Sequence, residues 1–402
     1  MTPPTTPLFN VLYLLDYVEL GGGETSFLNY LRALRRRVPD VHPIVALPHE
    51  GTVAQRIAEL GVQTHILPWP LRFRWGAFPV FSPLSVARLV RLINRCRVHL
   101  VHANNVFGLC YGGLAASVRG RPLVWTCHTR QDLDRIPKRW AARLLADHVL
   151  CVSEAVRQEA EHRLGRDGHL STDYLGIEPF GGGDRPTLRR QIRREFGLSD
   201  DCPLVGVVGR FQPVKGQHYL LEALPAVRKR LPNTVVWLIG DAIFGEQEQQ
   251  YKIRLERMVE QHGLGQHVRF MGFRTDARRL MRALDALVIS SEEESFGMAV
   301  IEAMEAGIPL VAPDIGGPRE IIDVPRTGLL FTPRRSDDLA RQLIQALTGE
   351  GRGEAFDEQA GPRRVAKHFM VDLHVCRTLA VYAKLTGHRF GIEVEHEFPG
   401  TT

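Results

Sequence analysis

The chain has 402 residues, 44% hydrophobic and 24% charged, a profile of two globular domains each large enough for its own core. Its 51 basic and 45 acidic residues leave a net charge of +6. That suits a polyphosphate ligand or an anionic membrane surface, and without a motif it does not argue nucleic acid. Cys96, Cys110, Cys127, Cys151, Cys202 and Cys376 form no CxxC pair, so they read as free thiols rather than a disulfide framework or a zinc site.

The N-terminal residues Met1–Pro7 lack a basic region, and the apolar run after them is cut by Asp16, which argues against a signal peptide. No stretch approaches the ~20 apolar residues of a membrane helix. The expected location is cytoplasmic, with contact to a membrane limited to its surface. Strands are predicted at Phe9–Leu15, Val41–Leu47, Val62–Leu67, His99–Ala103, Leu123–Cys127 and Val149–Val152, with helical patterns between them at Glu24–Arg37, Pro83–Arg97 and Ser153–Leu164. The second half repeats the alternation with strands at Leu204–Gly209, Val235–Gly240, Val268–Gly272, Ala286–Ser290 and Leu310–Ala312. Such βαβα order implies parallel sheets covered by helices on both faces. The Pro/Gly cluster Glu178–Asp184 reads as the linker between two doubly wound domains facing a cleft.

Several positions along this frame could carry chemistry. Gly21-Gly22-Gly23-Glu24 follows the first strand, where glycine lets the backbone approach a ligand closely. A tight turn with Glu24 near the helix start accounts for the same residues. Arg35–Arg37, the segment Trp69–Trp75, and Arg88, Arg91, Arg95 and Arg97 could lie on anionic lipid, or could be ordinary exposed arginines. His102 and His128 each stand at the carboxyl end of a strand, where ligand-facing side chains of an open α/β sheet collect, although a lone histidine is more often structural. Asp132-Leu133-Asp134 is read as a solvated loop, with no metal bound. In the second half, Arg210 and Lys215 share one strand-to-helix loop and could neutralise a diphosphate, or could form a solvated basic turn. Glu294 and Glu302 flank the helix start at Gly297, two acceptors at different depths for hydroxyls of one elongated ligand. An acidic run through Glu292, Glu293 and Glu294 with Glu302 on a helix surface is the alternative. The last helix is expected at about Val365–Leu385, followed by a mobile tail.

Together these residues resemble the retaining nucleotide-sugar glycosyltransferases of family 4, from about Phe9 to Leu385. The matching elements are Gly21–Glu24, His128, Val152-Ser153-Glu154-Ala155, Gly209-Arg210-Phe211 with Lys215-Gly216, and Phe270-Met271-Gly272-Phe273. The glutamates Glu294 and Glu302, seven residues between them, precede Ala303-Met304-x-Ala306-Gly307-x-Pro309, and Gly316-Gly317-Pro318-x-Glu320 completes the series. The resemblance implies the GT-B fold: an acceptor-side Rossmann-like domain over 1–180, a nucleotide-sugar domain over 181–364, a helix over 365–386 crossing back to the first, and a tail over 387–402. It implies that Arg210 and Lys215 bind and stabilise the departing diphosphate. Glu294 and the backbone amides of Phe296, Gly297 and Met298 would hold the donor sugar, and Glu302 the ribose hydroxyls. His128 would approach the reacting centre, Gly22 and Gly23 the phosphates and acceptor, and the loop at Phe273 the base. No metal or other cofactor is implied.

The chain departs from the family pattern at Tyr174-Leu175-Gly176-Ile177-Glu178, at Gly240-Asp241-Ala242 and at His99, which weakens inference about the substrate and leaves the implied diphosphate and sugar contacts intact. The expected activity is transfer of a hexose-type sugar from a nucleoside-diphosphate sugar to a hydroxyl of a glycan or lipid-linked acceptor, in assembly of a bacterial surface glycan. A nucleotide-sugar epimerase or hydrolase of the same fold, or a non-catalytic nucleotide-sugar-binding subunit, is the competing reading.

Overall fold

The computed structural model describes residues 8–70, 73–74, 78–79, 82–165, 168–243, 245–350 and 356–391. The chain divides into two units, 1–178 with 370–402, and 179–369.

In the first unit, seven parallel strands form one sheet: β1 (Phe9–Leu14), β2 (Val41–Leu47), β3 (Gln63–Ile66), then, after a short antiparallel pair of β4 (Phe73–Arg74) and β5 (Phe78–Pro79), β6 (Leu100–Ala103), β7 (Leu123–Cys127), β8 (His148–Cys151) and β9 (Leu170–Thr172). Their spatial order is β3-β2-β1-β6-β7-β8-β9. The second unit holds β10 (Leu204–Val208), β11 (Val235–Ile239), β12 (Val268–Gly272), β13 (Ala286–Val288), β14 (Leu310–Pro313) and β15 (Gly328–Phe331), in the order β12-β11-β10-β13-β14-β15. Both are doubly wound α/β sheets whose order reverses beside the first strand, between β1 and β6 and between β10 and β13. Ligands of such sheets bind outside the carboxyl ends of the strands at that reversal.

The central strands are β-branched and apolar because helices cover both faces. Val11, Tyr13, Val45, Leu31 and Leu34 are packed in the first core, and Val205, Val207, Leu238, Val288 and Leu343 in the second. Sequence periodicity places most strand ends within a residue or two. It misses β4, β5, β9 and β15, all short, of which β9 and β15 close the sheet edges.

The helix expected over Val365–Leu385 is two helices, Ala360–His368 in the second unit and Val371–Thr386 in the first. Extended backbone at Met370 separates them. Val371 N–H donates to Ile177 O (3.0 Å), and a Cβ at Gly176 would stand 2.4 Å from the Val371 Cα, so the returning chain passes where only glycine leaves room. The helix Val371–Thr386 packs on Gly22–Arg37, burying Val375 and Leu379 in the first core. Beyond it, His388 packs tilted and Phe390 edge-on against Phe9 rather than trailing free, and the rest of the expected tail, 392–402, lies outside the described residues.

Candidate functional site

The carboxyl edge of the second sheet gathers the loops that follow its strands. The loop after β10 carries Arg210 and Lys215, and the one after β13 carries Ser290, Ser291 and Glu294. Lys215 Nζ meets Glu294 Oε2 at 2.8 Å, and Ser291 Oγ donates to the same oxygen at 3.1 Å. The two loops are stitched further by Ser290 Oγ donating to Lys215 O (3.0 Å) and Glu292 N–H to Val214 O (2.8 Å). Gly216, at φ +62°, sits so close that a Cβ would fall 2.2 Å from Ser290 O. Glycine is needed there both for the left-handed backbone and for the approach.

From the far side, Gly316-Gly317 supports Glu294. Gly317 N–H donates to Glu294 O (3.0 Å), and a Cβ on Gly316 (φ +49°) would lie 2.0 Å from that oxygen. The carboxylate is thus held by a cation, a hydroxyl and a fixed backbone. Gly297 (φ +97°) opens the helix Met298–Glu305, whose first N–H groups and positive dipole end stand beside this cluster. Phe296 is buried and makes an edge contact with Phe369, so any ligand contact from Phe296 is through its backbone. Met298 is half-buried, and Phe273, just past β12, is exposed.

Arg210 pairs with Glu248, Nη1 to Oε1 at 3.4 Å, and Gln217 Nε2 donates to Arg210 O (2.8 Å). Glu248 is buried and also accepts from Gln212 Nε2 (2.5 Å) and Ile243 N–H (2.8 Å). Sequence reasoning missed Glu248, because nothing local distinguishes it from Glu246 in the first turn of the helix Gly245–Gln261. Glu302 lies one turn into the helix Met298–Glu305 and keeps part of its surface open, yet burial pushes its carboxyl up to about 7 against the pull of Arg278 and Arg282. Those arginines instead share Glu305, with Arg282 stacked 4.0 Å over the Phe180 ring.

The first unit brings a second group together at the carboxyl edge of its own sheet. His128 follows β7, and a Cβ built on Gly23 would have the His128 Cε1 as its nearest neighbour, at 4.0 Å. Gly22 is exposed and Gly23 half-buried at the start of Gly22–Arg37. His128 Nε2 donates to Asn104 Oδ1 (3.2 Å), which leaves Nδ1 as the accepting nitrogen of a neutral ring. Burial, then the nearby His374, pull the His128 pKa down to about 4.

Asp132 is not the solvated loop residue its neighbours suggest. Its Oδ2 accepts from the His128 and Thr129 backbone N–H groups (3.1 and 2.9 Å), and Thr129 caps the short turn Arg130–Leu133 in return. It fixes the backbone under His128, a role visible only once the chain has folded back. His102 is structural: buried, it bonds Tyr382 (2.5 Å) and Thr126 (2.7 Å), and burial draws its pKa down to about 3. Asp16, at the reversal between β1 and β6, accepts from Phe107 N–H (2.8 Å), Gly108 N–H (2.9 Å) and Trp69 Nε1 (3.3 Å), with burial raising its pKa to about 7. Trp69 is therefore a core residue rather than a lipid-facing one, and residues 71–72 and 75 of that segment lie outside the described residues. The end-of-strand rule that singled out His128 would also have found Asp16. Among the described residues, no three His, Cys, Asp or Glu side chains come together as a metal-ligand set.

The family profile described as Glycosyltransferase Family 4 matches residues 20–179, and that described as Glycosyl transferases group 1 matches 189–362. The chain is 30% identical over 315 residues to a D-inositol 3-phosphate glycosyltransferase of Salinispora arenicola, covering 71% of this chain and 68% of that one. It is 26% identical over 363 residues to the alpha-D-kanosaminyltransferase of Streptomyces kanamyceticus, covering 84% and 92%. Among solved structures it is similar to Anabaena HepE in complex with UDP and glucose, with a TM-score of 0.79, 26% identity, and 93% and 99% of the two chains covered.

Proposed function

The chain belongs to the group 1 glycosyl transferases, with the GT-B fold, and on that premise we propose that it is a retaining, metal-independent hexosyltransferase using a nucleoside-diphosphate sugar. The observation that carries this reading is the cluster at the reversal of the second sheet, where Lys215, Glu294, Arg210 and the helix start at Gly297 converge.

Breaking the anomeric C–O bond leaves negative charge on the diphosphate and positive charge on the sugar. Arg210, Lys215 and the helix N-terminus stabilise the first, held in position beforehand by Glu248 and Glu294. Glu294 accepts sugar hydroxyls and Glu302 the ribose hydroxyls. Attack comes from the face the leaving group departs, so the acceptor oxygen bonds to the anomeric carbon while its proton passes to the leaving phosphate oxygen. No carboxylate is assigned as a covalent nucleophile. His128, neutral, offers Nδ1 as an acceptor at the carboxyl edge of the first sheet. The acceptor is a glycan or lipid-linked hydroxyl of a bacterial surface glycan, made on the cytoplasmic side.

A thermal-shift panel of nucleoside diphosphates and their sugars tests the donor. Uridine diphosphate comes first, because HepE was solved with it. Release of nucleoside diphosphate that needs an acceptor, with the anomeric configuration kept in the product, is the expected outcome. Turnover without acceptor would turn the reading to an epimerase or hydrolase, and binding without release under any acceptor to a non-catalytic subunit.

A further inference from the structure

The helix Ile136–Leu145 carries large apolar side chains where no core receives them. Ile136, Trp140 and Leu144 are 65%, 55% and 72% exposed, and in that helix Ala142 is the buried residue. Spacing of four on a helix aligns them in one stripe. The other three tryptophans among the described residues, Trp69, Trp125 and Trp237, are at most 4% exposed. The stripe is not what holds the helix in place, since Leu145 fills the space over Gly113 of the neighbouring helix Val106–Val118. That neighbour ends on Val118, itself 65% exposed.

The flanks of the stripe are basic: Arg135, Lys138, Arg139 and Arg143. Arg139 is anchored on Leu133 O and Arg143 on Leu164 O, both at 2.8 Å, so their charge is oriented by carbonyls rather than cancelled by carboxylates. Asp134 is the carboxylate paired here, with Lys138 at 2.9 Å and Arg135 at 4.0 Å. An apolar stripe centred on tryptophan, within a cationic margin, has the make-up of a helix lying at the headgroup level of an anionic bilayer. Ten residues are too few for the ~20 that cross one.

We propose that the helix Ile136–Leu145 docks the protein on an anionic lipid surface, with Ile136, Trp140 and Leu144 entering the headgroup boundary and Arg135, Arg139 and Arg143 facing lipid phosphates. Two of the segments that the sequence offers for this role fit less well: Arg36 and Arg37 are taken by Glu178 and Asp372, and Trp69 is buried. The inference stands apart from the transfer reaction, because lipid binding is measured without donor or acceptor.

The test is co-sedimentation of the full chain with phosphatidylcholine vesicles, with and without phosphatidylglycerol. The chain should bind the anionic vesicles, release as salt is raised to about 0.5 M, and shift tryptophan emission to shorter wavelength on binding. The double variant Trp140→Ser with Leu144→Ser should bind about ten-fold or more weakly with a nearly unchanged unfolding temperature, since both side chains are mostly exposed. Arg135→Gln should weaken binding to anionic vesicles alone. Equal binding by the double variant, or no binding by the wild type, overturns the proposal. So does a wild-type dimer that the double variant converts to monomer, since the stripe would then cover a second copy.

Discussion

At the carboxyl edge of its sheet, the second unit sets cations against carboxylates: Lys215 on Glu294, Arg210 on Glu248, and Glu302 beside Arg278 and Arg282. The first unit, with the same strand order around its reversal, holds its polar groups there with uncharged partners: His128 on Asn104, His102 on Tyr382 and Thr126, and Asp16 on backbone N–H groups and Trp69 Nε1. One topology thus supports two chemistries. A parallel sheet fixes where its loops emerge, and the residues on those loops decide whether the edge sets charge against charge or holds its polar groups with uncharged partners.

The sharpest way to break this contrast is to remove the charges of the second edge. Lys215→Ala and Glu294→Ala should each lower kcat by about 100-fold or more while circular dichroism and unfolding temperature stay close to wild type. Turnover near normal in either variant would end the assignment of that cluster to the donor diphosphate and sugar.

Backbone variants sharpen it next. Gly316→Ala places a Cβ against Glu294 O at positive φ, so it should destabilise the second unit by about 1–3 kcal/mol and displace Glu294 as well. Gly23→Ala in the first unit meets nothing closer than His128 at 4.0 Å. Its unfolding temperature should therefore stay within about 1 °C of wild type, any effect appearing in KM; equal destabilisation by both would erase the distinction.

Titration probes the two units through different quantities, ligand affinity in the second and stability in the first. The Glu302 carboxyl is held up to about 7, and an ionised carboxylate is the better acceptor for two ribose hydroxyls. Donor affinity should thus strengthen as pH rises through about 7, with a proton released on binding. In Glu302→Gln the affinity should fall about ten-fold above that pH and lose its pH dependence, as calorimetry in two buffers would report. In the first unit, His102 and His148 are depressed from the ordinary 6.5 to about 3 and about 4. The unfolded chain takes up protons below 6.5 that the folded unit refuses, so stability falls as pH drops from 6.5 toward 4, by up to about 1.4 kcal/mol per pH unit for each histidine. Urea midpoints of His148→Gln across that range should show a shallower slope than wild type, and an identical slope would remove His148 from the account.

Much of this was legible in the chain before folding. Short β-branched runs and amphipathic spacers give ten or more of the strands in order, because their period is written locally. The loops that carry Arg210, Lys215, Glu294 and His128 could be read from their place after a strand. What stayed hidden depends on partners distant in sequence. Glu248 looks like any helix-surface glutamate until Arg210 and Gln212 close on it, and Asp132 looks solvated until the His128 backbone settles over it. The break at Met370 follows from Gly176 meeting Val371, nearly two hundred positions later in the chain.

The sequence by itself determined the alternation, hence the two doubly wound sheets, and the identity of the residues at the strand ends. Tertiary structure decided which of those residues are paired, which are neutral and which are buried. Desolvation and ion pairing act over a few ångströms, and only the folded chain brings Lys215 to Glu294 or seals His102 from water.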